Sequence, residues 1–82
     1  MKKQPSHHIV TTFAANVKTV RRSLGLTQRE FGDLVGVDTL TISRWERGAV
    51  RPTVENLAAL CRRTGRDMAW FYTEQAEMEE AA

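Results

Sequence analysis

The chain has 82 residues, 41% of them hydrophobic, a formal net charge of +2 and a single cysteine, which gives one small domain with little stability to spare. No apolar run approaches the length needed to cross a bilayer, and Gln4 to His8 are polar where a signal peptide requires an apolar stretch, so the expected location is the cytoplasm. Cys61 has no second cysteine for a disulfide or a zinc site, which excludes zinc-finger readings and leaves no metal and no cofactor expected.

The small net charge hides an asymmetry. Residues 1–66 carry all 12 Lys and Arg against five acids, and residues 67–82 carry five acids and no base. A basic body suits a partner that bears phosphates, and the acidic end should point away from them or toward another protein.

Residues 1–10 read as a flexible arm: Pro5, Lys2, Lys3 and the adjacent His7 and His8 show no periodicity, and the two histidines lack a further ligand and read as inert. From Thr12 the residues Phe13, Val17, Val20 and Leu24 recur at helical spacing until Gly25. Thr27 followed by Glu30 is a capping box for a short second helix with the apolar stripe Phe31, Leu34 and Val35, ending at Gly36. Asp38 caps a third helix with Ile42 and Trp45 inward and Gly48 as its stop.

Beyond the loop at Arg51 and Pro52, Thr53 caps a fourth helix in which Val54, Leu57, Leu60 and Cys61 share a face up to Gly65. Cys61 there reads as core, not as a nucleophile. Asp67 caps a fifth helix carrying Met68, Trp70, Phe71 and Tyr72. Nothing alternates convincingly as a strand, so the expected fold is all-α, a compact five-helix bundle spanning residues 11–74, followed by an acidic tail over 75–82.

The informative stretch is Gln28 to Gly48. Two short capped helices meet there across a three-residue turn that starts at Gly36, a residue able to adopt the left-handed backbone, and Gly32 permits a close crossing. Burying Phe31, Val35, Val37, Ile42 and Trp45 leaves Thr39, Leu40, Ser43, Arg44 and Arg47 on the outward side of the third helix.

In these elements the chain resembles the Cro/lambda-repressor-like, or Xre, family of helix-turn-helix regulators. The resemblance covers roughly Phe13 to Tyr72 and includes Leu26–Thr27–Gln28, Gly36–Val37, Ile42 to Gly48 and Pro52. It implies a lambda-repressor-like bundle whose third helix lies in the major groove of double-stranded DNA. By that resemblance Thr39, Leu40, Ser43 and Arg44 read base edges, and Gln28, Arg47 and Arg51 meet phosphates, Gln28 standing at a helix end whose free amides favour an anion. Arg21 and Glu46 match a structural pair of opposite charge. Two departures stand out: Asp38 occupies a position where Ser or Thr is frequent, and Ala49 and Val50 lie in a loop that is often more basic.

The resulting expectation is a sequence-specific transcriptional regulator, a repressor in style, acting as a homodimer on a palindromic operator. Met68 and Phe71 suffice to dock the fifth helix, which leaves Trp70 and Tyr72 as surface rings for the dimer contact. The competing reading is a protein-interaction module, such as an antitoxin that holds a toxin. An enzyme is the poorest reading, because no phosphate loop, activated nucleophile or paired carboxylate is evident.

Overall fold

The computed structural model describes residues 5–75, with side chains from residue 9 onward. Five helices follow one another: α1 (Pro5–Ser23), α2 (Gln28–Val35), α3 (Thr39–Glu46), α4 (Val54–Thr64) and α5 (Met68–Phe71). Among the described residues there is no strand, and no helix is long and apolar enough to cross a membrane.

The first helix starts at Pro5, seven residues ahead of the expected Thr12, so much of the supposed arm is helical. Proline suits a first helical position, where its missing N–H would have no partner. The added turns place Val10 beside the end of α3: a Cβ on Gly48 would lie 3.5 Å from Val10 Cγ1 and 3.9 Å from Ala14 Cβ. Lys2, Lys3 and the side chains of His7 and His8 lie outside the described residues, as does the acidic tail beyond Gln75.

Each following helix begins as its sequence dictates. Thr27 Oγ1 accepts from the Glu30 amide at 3.1 Å while Glu30 Oε1 accepts from the Thr27 amide at 2.9 Å, completing the capping box. Asp38, Thr53 and Asp67 cap α3, α4 and α5 through the amides of Thr41, Asn56 and Trp70. Between α2 and α3, Gly36 takes φ +95° and the amides of Gly36 and Val37 both donate to Gly32 O, at 2.7 and 2.9 Å. Gly32 is required for a different reason, since a Cβ there would sit 2.6 Å from Val37 O. What approaches Gly32 is thus the carbonyl of the turn itself.

The core is formed by Phe13, Val17 and Val20 of α1, Phe31 and Val35 of α2, Ile42 and Trp45 of α3, Leu57 and Leu60 of α4, and Phe71 of α5. Phe13 is its centre, edge-on to Trp45 at 5.9 Å between centroids, tilted against Phe71 at 6.0 Å and stacked on Tyr72 at 5.5 Å. Cys61 is half-buried against this cluster, and desolvation pushes its thiol up, so it stays protonated at neutral pH.

Four apolar residues assigned to inward stripes stay outside. Leu24 follows the last residue of α1 and is exposed, and Leu34 lies at the edge of its stripe. Val54 is 82% exposed, because the first turn of α4 projects beyond the core that Leu57 and Leu60 reach. Met68 is 55% exposed. Helix α5 has only four residues, too few to present a stripe, and docks through Phe71 alone among its fully buried side chains.

Candidate nucleic-acid interface

Helix α3 has two unlike faces. Ile42, Trp45 and Glu46 are buried, which fixes its rotation, and Thr39, Leu40 and Arg44 are consequently exposed on the other side, with Ser43 half-buried between them. Leu40 is 50% exposed, an apolar side chain that the fold makes no use of. Arg47, at the helix end, donates from Nη1 to Ser43 Oγ at 2.5 Å, one turn back. This bond holds the Arg47 guanidinium along the helix and occupies a lone pair of Ser43, whose hydroxyl proton remains available to an acceptor.

The pair expected between Arg21 and Glu46 is present. Arg21 Nε donates to Glu46 Oε2 at 2.6 Å and Nη2 to Oε1 at 3.0 Å, with side-chain exposures of 14% and 3%. The hydrogen bond to Glu46 raises the Arg21 pKa above its ordinary value, partly opposed by burial. A third donor of the same guanidinium, Nη1, reaches Leu26 O at 2.9 Å, so one side chain joins α1, the loop before α2 and α3.

Gln28 enters this network in a way the sequence reading did not anticipate. Its Nε2 donates to Glu46 Oε1 at 3.1 Å, and the residue is half-buried. An amide nitrogen carries two hydrogens, so one is held by Glu46 and the other is left for a further acceptor. The capping box engages the amides of Thr27 and Glu30, while those of Gln28 and Arg29 belong to the first turn, ahead of the helix's own ladder. Arg51 is exposed in the loop after α3, and its charge partly opposes the rise of the Tyr72 pKa.

The residues expected at a dimer contact are arranged otherwise than supposed. Tyr72 is half-buried and stacked on Phe13, and desolvation raises its phenol pKa. Trp70 is half-buried, edge-on to Phe71 at 5.2 Å, with the Arg66 guanidinium 4.6 Å from its ring centroid. Both rings pack against the core, so they are not the surplus rings on which the expected interface depended; α5 is too short to bury Met68 in their place.

A residue absent from the sequence reading holds this end of the molecule. Asn16 is buried, and the two hydrogens of its Nδ2 are shared among three carbonyls, Trp70 O at 3.1 Å, Phe71 O at 2.9 Å and Thr73 O at 2.9 Å. Gln75 Nε2 adds bonds to Trp70 O and Thr73 O at 2.9 and 2.6 Å, which makes Gln75 part of the body and not of the tail. A signal for Asn16 existed, since it falls on the inward stripe between Phe13, Val17 and Val20, where a polar residue needs a partner.

A helix-turn-helix family profile matches residues 17–71. The chain is 44% identical over 50 residues to the Type II methyltransferase M.SsoII of Shigella sonnei, a match covering 57% of this chain and 13% of that protein. It is 41% identical over 44 residues to repressor protein C2 of Salmonella phage P22, covering 54% of this chain and 20% of the repressor. The chain thus spans a fifth or less of the length of either relative. The solved structure of the P22 c2 repressor in complex with a synthetic operator superposes with a TM-score of 0.70 at 30% identity, covering 74% of this chain and 92% of that one. The profile covers the end of α1 and all of α2 to α5, including the α2–turn–α3 unit, and the chain belongs to the Cro/lambda-repressor-like helix-turn-helix family.

Proposed function

We propose that the chain is a sequence-specific, double-stranded DNA-binding transcriptional regulator, a repressor in type, that lays α3 in the major groove. The observation that carries this reading is the division of α3: one face is locked into the core by Ile42, Trp45 and Glu46, and the other presents Thr39, Leu40 and Arg44 to solvent, with Ser43, bonded to Arg47, beside them. A rigid helix with an exposed polar and basic face suits readout of base edges, with Arg44 forking onto guanine. The similarity to a repressor solved on its operator supports it. Gln28, with its remaining amide hydrogen, and Arg47 and Arg51 meet the phosphates.

One such helix reads too few base pairs to be specific in a genome, so two copies are proposed to occupy the halves of a palindromic site, in the cytoplasm where that DNA lies. Trp70 and Tyr72 enter that contact only through the edges that the core leaves exposed. No enzymatic activity is proposed, because the methyltransferase match covers 13% of that enzyme.

Selection of bound duplexes from a random pool tests the reading. A palindromic motif is expected, with affinity falling steeply as salt is raised. A pool without enrichment, beside a tightly held protein partner, would replace the regulator with an interaction module. Sedimentation with and without the selected duplex reads the number of copies bound.

A further inference from the structure

Among Asp38, Thr39, Leu40, Ser43, Arg44 and Arg47, the residues that line the outward side of α3 and its ends, only Asp38 is acidic. As the N-cap of α3 it accepts from Thr41, whose amide reaches Oδ1 at 2.8 Å and whose side chain also bonds the carboxylate. A serine or threonine hydroxyl can also accept that amide, so the negative charge adds stability at the helix start without being required for a cap. The side chain is exposed, and among the described residues no cation is in salt-bridge contact with it.

The bonds from Thr41 lower the carboxyl below its ordinary pKa, with a smaller contribution from the Arg44 charge, so the group is ionised at neutral pH. An ionised carboxylate only accepts hydrogen bonds. In the major groove, cytosine N4 and adenine N6 offer hydrogens, whereas guanine N7 and O6 and thymine O4 offer lone pairs that face the charge unfavourably. Phosphate oxygens face it more unfavourably still, and they are what every unrelated sequence presents.

We infer that Asp38 determines specificity in two ways: it accepts a base-edge amino group, cytosine by preference, at one base pair of each half-site, and it holds down binding to unrelated DNA by repelling the backbone. The inference rests on the DNA-binding reading above. It divides α3 chemically along its length, with an acceptor at the N-terminal end, the apolar Leu40 next to it, and the donors Ser43 and Arg44 a turn further on.

The test compares the wild-type chain with Asp38→Asn, which keeps a capping oxygen without the charge, and Asp38→Ser, which keeps only a hydroxyl cap. Each protein is taken through selection on a random duplex pool. It is then titrated at fixed salt against the selected site, that site's single base-pair variants and a scrambled duplex, with thermal melting to check folding. Both variants should bind the scrambled duplex about five- to tenfold more tightly and lose the amino-group preference at one base pair per half-site, while the ranking at other positions is kept. If both recover the wild-type motif at every position with an unchanged ratio of selected to scrambled affinity, Asp38 is a cap alone and the inference is overturned. A wild-type chain that enriches no motif would instead overturn the DNA-binding reading itself, and this inference with it.

Discussion

The α2–α3 unit and α5 are both short, and they are held by opposite means. The eight-residue helices α2 and α3 carry their instructions locally: a complete capping box, an Asp cap and a left-handed glycine between them. The four residues of α5 have a local start in Asp67, but their far end is held by Asn16, more than fifty positions away in the chain. Local hydrogen bonds define where a helix begins, whereas its place against the core depends on groups that only folding brings near. The region proposed to read DNA therefore has its helix starts and its turn set locally, while its place in the molecule depends on the core and on the Arg21–Glu46 tie to α1.

The largest effect should come from removing the tie between α3 and α1. Glu46→Ala leaves the Arg21 guanidinium half-buried without its carboxylate and takes an acceptor from Gln28; chemical denaturation should show a loss on the order of 3 kcal/mol. A loss below about 1 kcal/mol would place the pair among the surface salt bridges.

Asn16→Ala should follow, on the order of 2 kcal/mol, because Phe71 O loses its side-chain donor at a buried position and Trp70 O and Thr73 O are left to Gln75. Hydrogen exchange then separates the two regions. Amides of Phe71 to Thr73 should lose protection in this variant while those of Phe31 to Val35 retain theirs relative to global stability. Uniform loss across both regions would remove the distinction between locally and remotely held helices.

Arg44→Ala sharpens the contrast within α3 itself. Melting should be nearly unchanged, and affinity for the selected site should fall by about 1–3 kcal/mol with relaxed preference at one base pair per half-site. If the ranking of site variants is unchanged, Arg44 is a phosphate or surface residue.

The smallest effect concerns the α3 cap. Asp38 has a folded-state pKa below its unfolded value, owing first to its bonds with Thr41, so its contribution is present above the unfolded pKa and is lost as pH falls through the folded one. Compared with the wild type, Asp38→Asn should show a shallower decline of melting temperature in the acid range and no difference in slope near neutrality. Identical acid limbs would mean that the carboxylate gains nothing from folding.

Much of the fold was legible because its signals are local. The caps at Thr27, Asp38, Thr53 and Asp67, the turn glycine Gly36 and the apolar spacing of Phe13, Val17 and Val20 each act within a few residues. The start of α1 was not legible, since His7 and His8 interrupt the apolar pattern although Pro5 is well suited to open a helix. Val54 and Met68 had the right spacing and the wrong depth, because periodicity gives a direction around a helix axis and says nothing of where the core stops.

The sequence by itself determined the five helices, their caps and the residues α3 turns outward, for these follow from backbone hydrogen bonding and the helical repeat over short spans. The tertiary structure alone decided that Gln28 shares the Glu46 carboxylate with Arg21, that Asn16 fastens the end of α5, and that Trp70 and Tyr72 pack inward. Each of these joins residues between 18 and 57 positions apart, or depends on the packing of several helices at once, and a helical repeat holds no record of such distances.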